Sequence, residues 1–145
     1  TPCMVGDVYM PRMRAGERPR TSVVDAFWVA LDTPELLLDS TGLCLSEATV
    51  FPQSPAPSPV TVVRPDQVDA NALVRPPVFV GAFATVGHGA RLGPGVCIDG
   101  TDVERGCRVS DSVLYGMGRV EGTWSGCVAI AGKVVQVRRA LPTDE

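Results

Sequence analysis

Among side chains able to exchange a proton near neutral pH, the chain holds a single imidazole, His88, set between two glycines in Gly87-His88-Gly89. Placed well, a lone histidine acts as a general base. Between two glycines it reads first as a solvated corner residue, with the base as the alternative. The five cysteines, Cys3, Cys44, Cys97, Cys107 and Cys127, are odd in number and form no C-x-x-C pair. Neither a disulfide framework nor a zinc cage is indicated, and buried, reduced thiols are expected.

The frame for these residues is a chain of 145 amino acids, 45% hydrophobic and 20% charged, enough for one ordinary domain or a small module joined to part of another. Its net charge of -3 and lack of a basic stripe argue against nucleic acid as a partner. No apolar run approaches the roughly 18 residues that a membrane helix needs, and no signal-peptide pattern stands at the start. The expectation is a cytoplasmic chain with no membrane partner. It opens on Thr1, which suggests that it is cut from something longer.

Apolar residues recur every sixth position. Val62, Val68, Val74, Val80, Val86, Leu92 and Ile98 form one series, and Ala72, Val78, Ala84, Ala90 and Val96 form a second, four residues after members of the first. One aliphatic and one small residue per six is the mark of a hexapeptide β-helix, in which three short strands make a triangular coil of roughly 18 residues. The aliphatics stack inward. Gly81, Gly87 and Gly93, each following an aliphatic, are expected to relieve crowding at bends. After Asp102 the pattern restarts one residue early, as Val103 with Cys107 and Val109 with Val113, and beyond Ser110 the count is lost. Trp124 and Tyr115 are expected to plug that irregular end, the alternative being an exposed aromatic patch for a partner. The charged, Pro-containing tail after Val137 is expected to blunt the last edge.

Upstream, Ser46 to Pro59 is rich in Pro and Ser and reads as a linker. Before it, Asp32 or Thr33 caps a helix expected from Pro34 to about Ser40, with Glu35 in its first turn. The organisation is therefore a short α-containing region over 1–45, a linker over 46–61, a β-helix over 62–137 and a polar tail over 138–145. Residues 1–31 are too short for a core of their own.

FWVALDTPELLLDST, from Phe27 to Thr41, resembles the end of the catalytic domain of sugar-1-phosphate nucleotidyltransferases of the mannose-1-phosphate guanylyltransferase and glucose-1-phosphate nucleotidyltransferase type, with their W-x-D-x-G-T-P-E pattern. DVYMPRMRAGERP, from Asp7, is similar to the segment just before it. The resemblance implies a remnant of an α/β domain followed by a left-handed hexapeptide β-helix. It implies a reaction of an NTP with a sugar 1-phosphate to give a nucleotide sugar and pyrophosphate, assisted by Mg²⁺. It also implies a cytoplasmic, nucleotide-sugar-forming protein whose β-helix serves regulation and self-association. The family's Gly-rich nucleotide loop has no counterpart in these residues, so this chain alone is expected to be inactive and to need no cofactor. The family's metal-binding Asp falls on Ala30 and its Gly on Asp32, which is either a helix cap or a displaced ligand.

Two other functions stand beside this one. In a hexapeptide acyltransferase His88 would be the base and acyl-CoA would lie between neighbouring prisms; in a scaffold descended from the first family the chain would only assemble. A hexapeptide carbonic anhydrase needs several histidines and is excluded.

Overall fold

The aliphatic column from Val62 to Ile98 forms the inside of a coil. The computed structural model describes residues 3–25, 28–46 and 60–138. From Val60 the chain winds as a β-solenoid of about four turns. Its strands are β1 (Val60–Val62), β2 (Leu73–Val74), β3 (Val78–Val80), β4 (Thr85–Val86), β5 (Arg91–Leu92), β6 (Val96–Val103), β7 (Arg108–Ser110), β8 (Ser112–Val120), β9 (Thr123–Ser125), β10 (Cys127–Ile130) and β11 (Lys133–Gln136). One face stacks β1, β3, β6, β8 and β10 in parallel, a second stacks β2, β5, β7 and β9, and the third joins β4 to the far ends of β6 and β8.

Parallel pairing puts equivalent residues of successive coils side by side. Val62 pairs with Val80 and Val80 with Ile98, each 18 residues on, whereas Leu114 follows Ile98 after 16 and Ala129 follows Leu114 after 15. The coils shorten towards the C-terminus. Val80, Val86, Leu92 and Ile98 are buried with Val78, Ala84, Ala90 and Val96, while Val62, Val68, Ala72 and Val74 line the less covered first coil. The expected restart holds for Val103, Cys107 and Val109, all buried. It fails at Val113. A further residue is lost at the corner where Asp111 takes a left-handed φ of 42°, so that Ser112 and Leu114 pair with Val96 and Ile98 and point inward. Val113 is thereby turned to the outside.

The glycines act differently from one another. Only Gly93 of the three has a positive φ, +98°. Gly81 makes room for Asp99 of the next coil, whose Oδ1 accepts from the backbone N–H of Phe83 at 2.9 Å and of Gly100 at 3.0 Å.

Outside the prism, Phe79, Cys97, Val113, Val128 and Val135 occupy one outward column across β3, β6, β8, β10 and β11. Its middle is apolar and needs cover. Helix α2 (Pro34–Ser46), following α1 (Met10–Arg14), supplies that cover: Leu38 is 2% exposed against Val113 and Val128, with Leu37, Cys97 and Val137 beside them. The helix runs past the expected end at Ser40, through Gly42, and Ser40 is itself buried. Its cap is Thr33, whose hydroxyl accepts from the Leu36 N–H at 3.3 Å, and not Asp32. Arg138 fastens the same region, pairing with Asp39 of α2 and, at 3.0 Å, with Asp111.

The last edge is blunted mainly by a reversal. Ala131 and Gly132, both at positive φ, make a two-residue turn that sends β11 back antiparallel to β10, a geometry in which another parallel coil cannot follow on that face. Most of the expected linker, residues 47–59, and the tail beyond Arg138 lie outside the described residues. At the N-terminus a π-helical turn, Met4–Tyr9, runs into α1, and neither buries a residue.

If α2 is docked by apolar contact, Leu38→Ala should lower unfolding stability by about 2–4 kcal/mol, the cost of truncating a buried leucine. Leu36→Ala, at a side chain 39% exposed, should leave it within about 0.5 kcal/mol. Urea unfolding of both variants checks this, and equal effects would sever α2 from the prism.

Candidate functional site

Because stacked coils align residues about 18 apart, His88 stands above a segment the sequence alone does not bring to mind. The bridge between Val68 and Val86, and the Asp69 N–H donating to the Val86 carbonyl at 2.9 Å, fix Asp69 beneath the Gly87-His88 corner. His88 Nδ1 lies 3.3 Å from Asp69 Oδ1 and 3.3 Å from Asn71 Nδ2. Asp69 is itself held in an Asx turn: its Oδ1 accepts from the Asn71 backbone N–H at 2.8 Å and from Asn71 Nδ2 at 3.2 Å. The Asn71 backbone N–H, above all, keeps this carboxyl below the usual carboxylate range, with the Asn71 side chain and His88 adding to it.

Three nitrogens thus converge on one carboxylate oxygen, the Asn71 backbone N–H, Asn71 Nδ2 and His88 Nδ1. A hydrogen bond to an ionised acceptor is roughly twice as strong as a neutral one, so Nδ1–H to Asp69 outcompetes Asn71 Nδ2–H to a bare Nδ1. That tautomer leaves Nε2 as the free, basic nitrogen, the orientation in which an imidazole accepts a proton from a substrate. His88 remains 53% exposed, and its carbonyl accepts from Gly106 N–H of the next coil at 3.0 Å. It is a corner residue, as expected, yet an oriented one. Asp69 and Asn71 escaped the sequence reading although the 18-residue coil was the signal that places them there.

The segment carrying the nucleotidyltransferase resemblance holds no comparable constellation. Ala30 is half-buried and Asp32 is exposed without a hydrogen-bond partner among the described residues. The Glu35 carboxyl is drawn to its own backbone N–H and then to the Thr33 hydroxyl, which hold it below the usual carboxylate range. A divalent cation such as Mg²⁺ would meet a methyl group at 30 and a single carboxylate at 32, a donor set that does not fit it. Among the described residues, no three of His, Cys, Asp and Glu gather closely enough to hold a metal ion.

All five cysteines are free, and Cys107 and Cys127 are buried. Cys97, on the outward column near α2, has its thiol pushed up to about 11, mainly by burial and secondarily by Asp99. Cys3 departs from the expectation of burial: it is exposed, its sulfur accepting from Gly6 N–H at 3.4 Å. The two late aromatics divide. Trp124 packs against the core, its Nε1–H donating to the Glu121 carbonyl at 2.9 Å, while Tyr115 is 57% exposed between Asp99 and Ile130.

Nitrogen NMR of the neutral imidazole should find His88 with the proton on Nδ1, and Asp69→Ala should move the population towards the Nε2–H form; an unchanged tautomer would remove Asp69 from the site. In thiol labelling at pH 8, Cys3 should react first. Cys97 should hold back, since at that pH only about one thiol in a thousand with so raised a pKa is ionised, and its rate should climb as pH approaches 11. Rapid labelling of Cys97 in the folded protein at pH 8 would contradict its burial.

No protein-family model matches the chain, and neither a curated protein nor a solved structure matches it.

Proposed function

We propose that this chain is the C-terminal region of a sugar-1-phosphate nucleotidyltransferase of the mannose-1-phosphate guanylyltransferase or glucose-1-phosphate nucleotidyltransferase type. The whole protein joins an NTP and a sugar 1-phosphate into a nucleotide sugar with release of pyrophosphate, in the cytoplasm. Its solenoid, wound left-handed as in that family, serves assembly and regulation through self-association. One observation carries the reading: Thr33-Pro34-Glu35 opens a helix that lies against the solenoid, so the motif resembling the end of a catalytic domain is followed by a helix built into the prism. Ala30 makes the complete protein a weak or inactive member, because no carboxylate stands where the family binds its cation.

A second reading has its own support. The contact of 3.3 Å between His88 and Asp69 is the arrangement that a hexapeptide acyltransferase base would need. Under it, acetyl-CoA raises the melting temperature and a His88→Ala variant loses the effect.

The deciding experiment reads the coding DNA upstream of Thr1. A Gly-rich loop with its Arg and Lys is the expected finding, and in the encoded full-length protein Ala30→Asp should increase Mg²⁺-dependent nucleotide-sugar formation. A start codon directly before Thr1 would overturn the nucleotidyltransferase reading.

A further inference from the structure

The face made by β2, β5, β7 and β9 has an unusual charge pattern for a chain with 16 acidic and 13 basic residues. Val74, Leu92, Val109 and Trp124 turn inward, so Leu73, Arg91, Arg108 and Thr123 form the outward column. Two residues along, the next outward positions are Arg75, Gly93, Ser110 and Ser125. None of these eight is acidic. Arg91 and Arg108 are direct partners in the ladder, about 4.8 Å apart at the backbone, well within the roughly 8 Å screening length at physiological salt. Like charges directly opposite one another destabilise a sheet.

Of the other four arginines of the prism, three have acidic partners, and Arg105, at the corner after β6, has none among the described residues. Arg64 pairs with Asp66, Arg119 with Glu104 and Arg138 with Asp111. Among the described residues, Arg75, Arg91 and Arg108 make no ion pair and no side-chain hydrogen bond, and all three are exposed. Three carboxylates at the flanking corners are engaged elsewhere, Asp69 with Asn71 and His88, Glu104 with Arg119, Asp111 with Arg138, while Glu121, before β9, pairs with none of the three arginines.

At the centre of this group is a bare position. Gly93 has Arg75 one coil below, Arg91 two residues before it, Ser110 one coil above and Arg108 on the diagonal. A side chain cannot be added there, because the Arg75 carbonyl occupies the place of a Cβ. Gly93 therefore carries no side chain between three arginines, whose guanidinium groups are the donors that bidentate phosphate recognition uses, while the Ser110 hydroxyl donates to Ser125 Oγ at 3.1 Å.

We infer that this face binds a ligand carrying linked phosphoryl groups, seated over Gly93 and bridging Arg91 and Arg108 with Arg75. The inference is independent of the nucleotidyltransferase reading. Sodium tripolyphosphate is the probe, added to the whole chain at low salt and followed by backbone amide shifts and by melting temperature. Saturable shifts are expected at Arg91, Gly93 and Arg108, with a rise in melting temperature and weakening as salt is added. The Arg91→Gln/Arg108→Gln double variant should bind at least about tenfold more weakly while melting no lower than the parent without ligand, since it removes a repulsive pair. Arg64→Gln should bind normally. A nucleoside diphosphate binding more tightly than pyrophosphate at these amides would assign the ligand to nucleotides, and equal binding to free polyphosphates; either supports the site. The inference is overturned by no saturable shift at millimolar tripolyphosphate, by equal loss in Arg64→Gln, or by polyglutamate binding this face where tripolyphosphate does not.

Discussion

Everything in this structure depends on the parallel backbone ladder between coils. Once β1, β3, β6, β8 and β10 are hydrogen-bonded in register, each residue is committed to a column, and the column decides whether it is core, corner or face. Inward columns must then be aliphatic or small, which is why Val80, Ile98 and Leu114 stack while Val78, Val96 and Ser112 fill the narrower position beside them. A polar residue is admitted inside only where it can be satisfied. Thr101 donates to the Asp99 carbonyl at 3.0 Å and Ser112 to the Ser110 carbonyl at 2.7 Å, both local bonds that follow the chain round a corner.

The same ladder forces the outside of the prism to be accounted for. An outward column containing Cys97, Val113 and Val128 would leave apolar surface in water, and α2 removes it. This makes the helix part of the fold of the solenoid. Docking also explains why charge collects around Arg138: it lies where α2, the Asp111 corner and the end of β11 meet, and its guanidinium joins the first two. In contrast, the helical turns at Met4–Tyr9 and α1 leave Met4, Tyr9 and Met13 largely exposed, so they contribute nothing comparable to the core.

Corners are where chemistry gathers, since they are freed from the alternation that the strands impose. His88 is oriented because the corner one coil below carries Asp69 and Asn71, and Gly87 lets the coil above close in, a Cβ there coming within 2.9 Å of the Arg105 backbone nitrogen. The arginine face arises from the opposite cause. Strand residues cannot turn away from their column, so Arg91 and Arg108 must lie side by side whatever their charge.

What the sequence by itself determined is the solenoid and most of its inner columns, because a six-residue period is a local signal that survives without knowledge of any contact. It also marked His88 and the absence of a carboxylate at Ala30. It did not place Val113, since a single residue dropped at Asp111 reverses in from out and nothing nearby announces the loss. Thr33 rather than Asp32 as the cap is a local choice between two adjacent side chains, whereas the position of α2 on the prism was decided by burial against Val113 and Val128, more than 70 positions away. The partners of His88 and the grouping of Arg75, Arg91 and Arg108 likewise belong to tertiary structure. They depend on the length of each coil, and coil length is set by how the chain turns its corners and not by which residues stand between them.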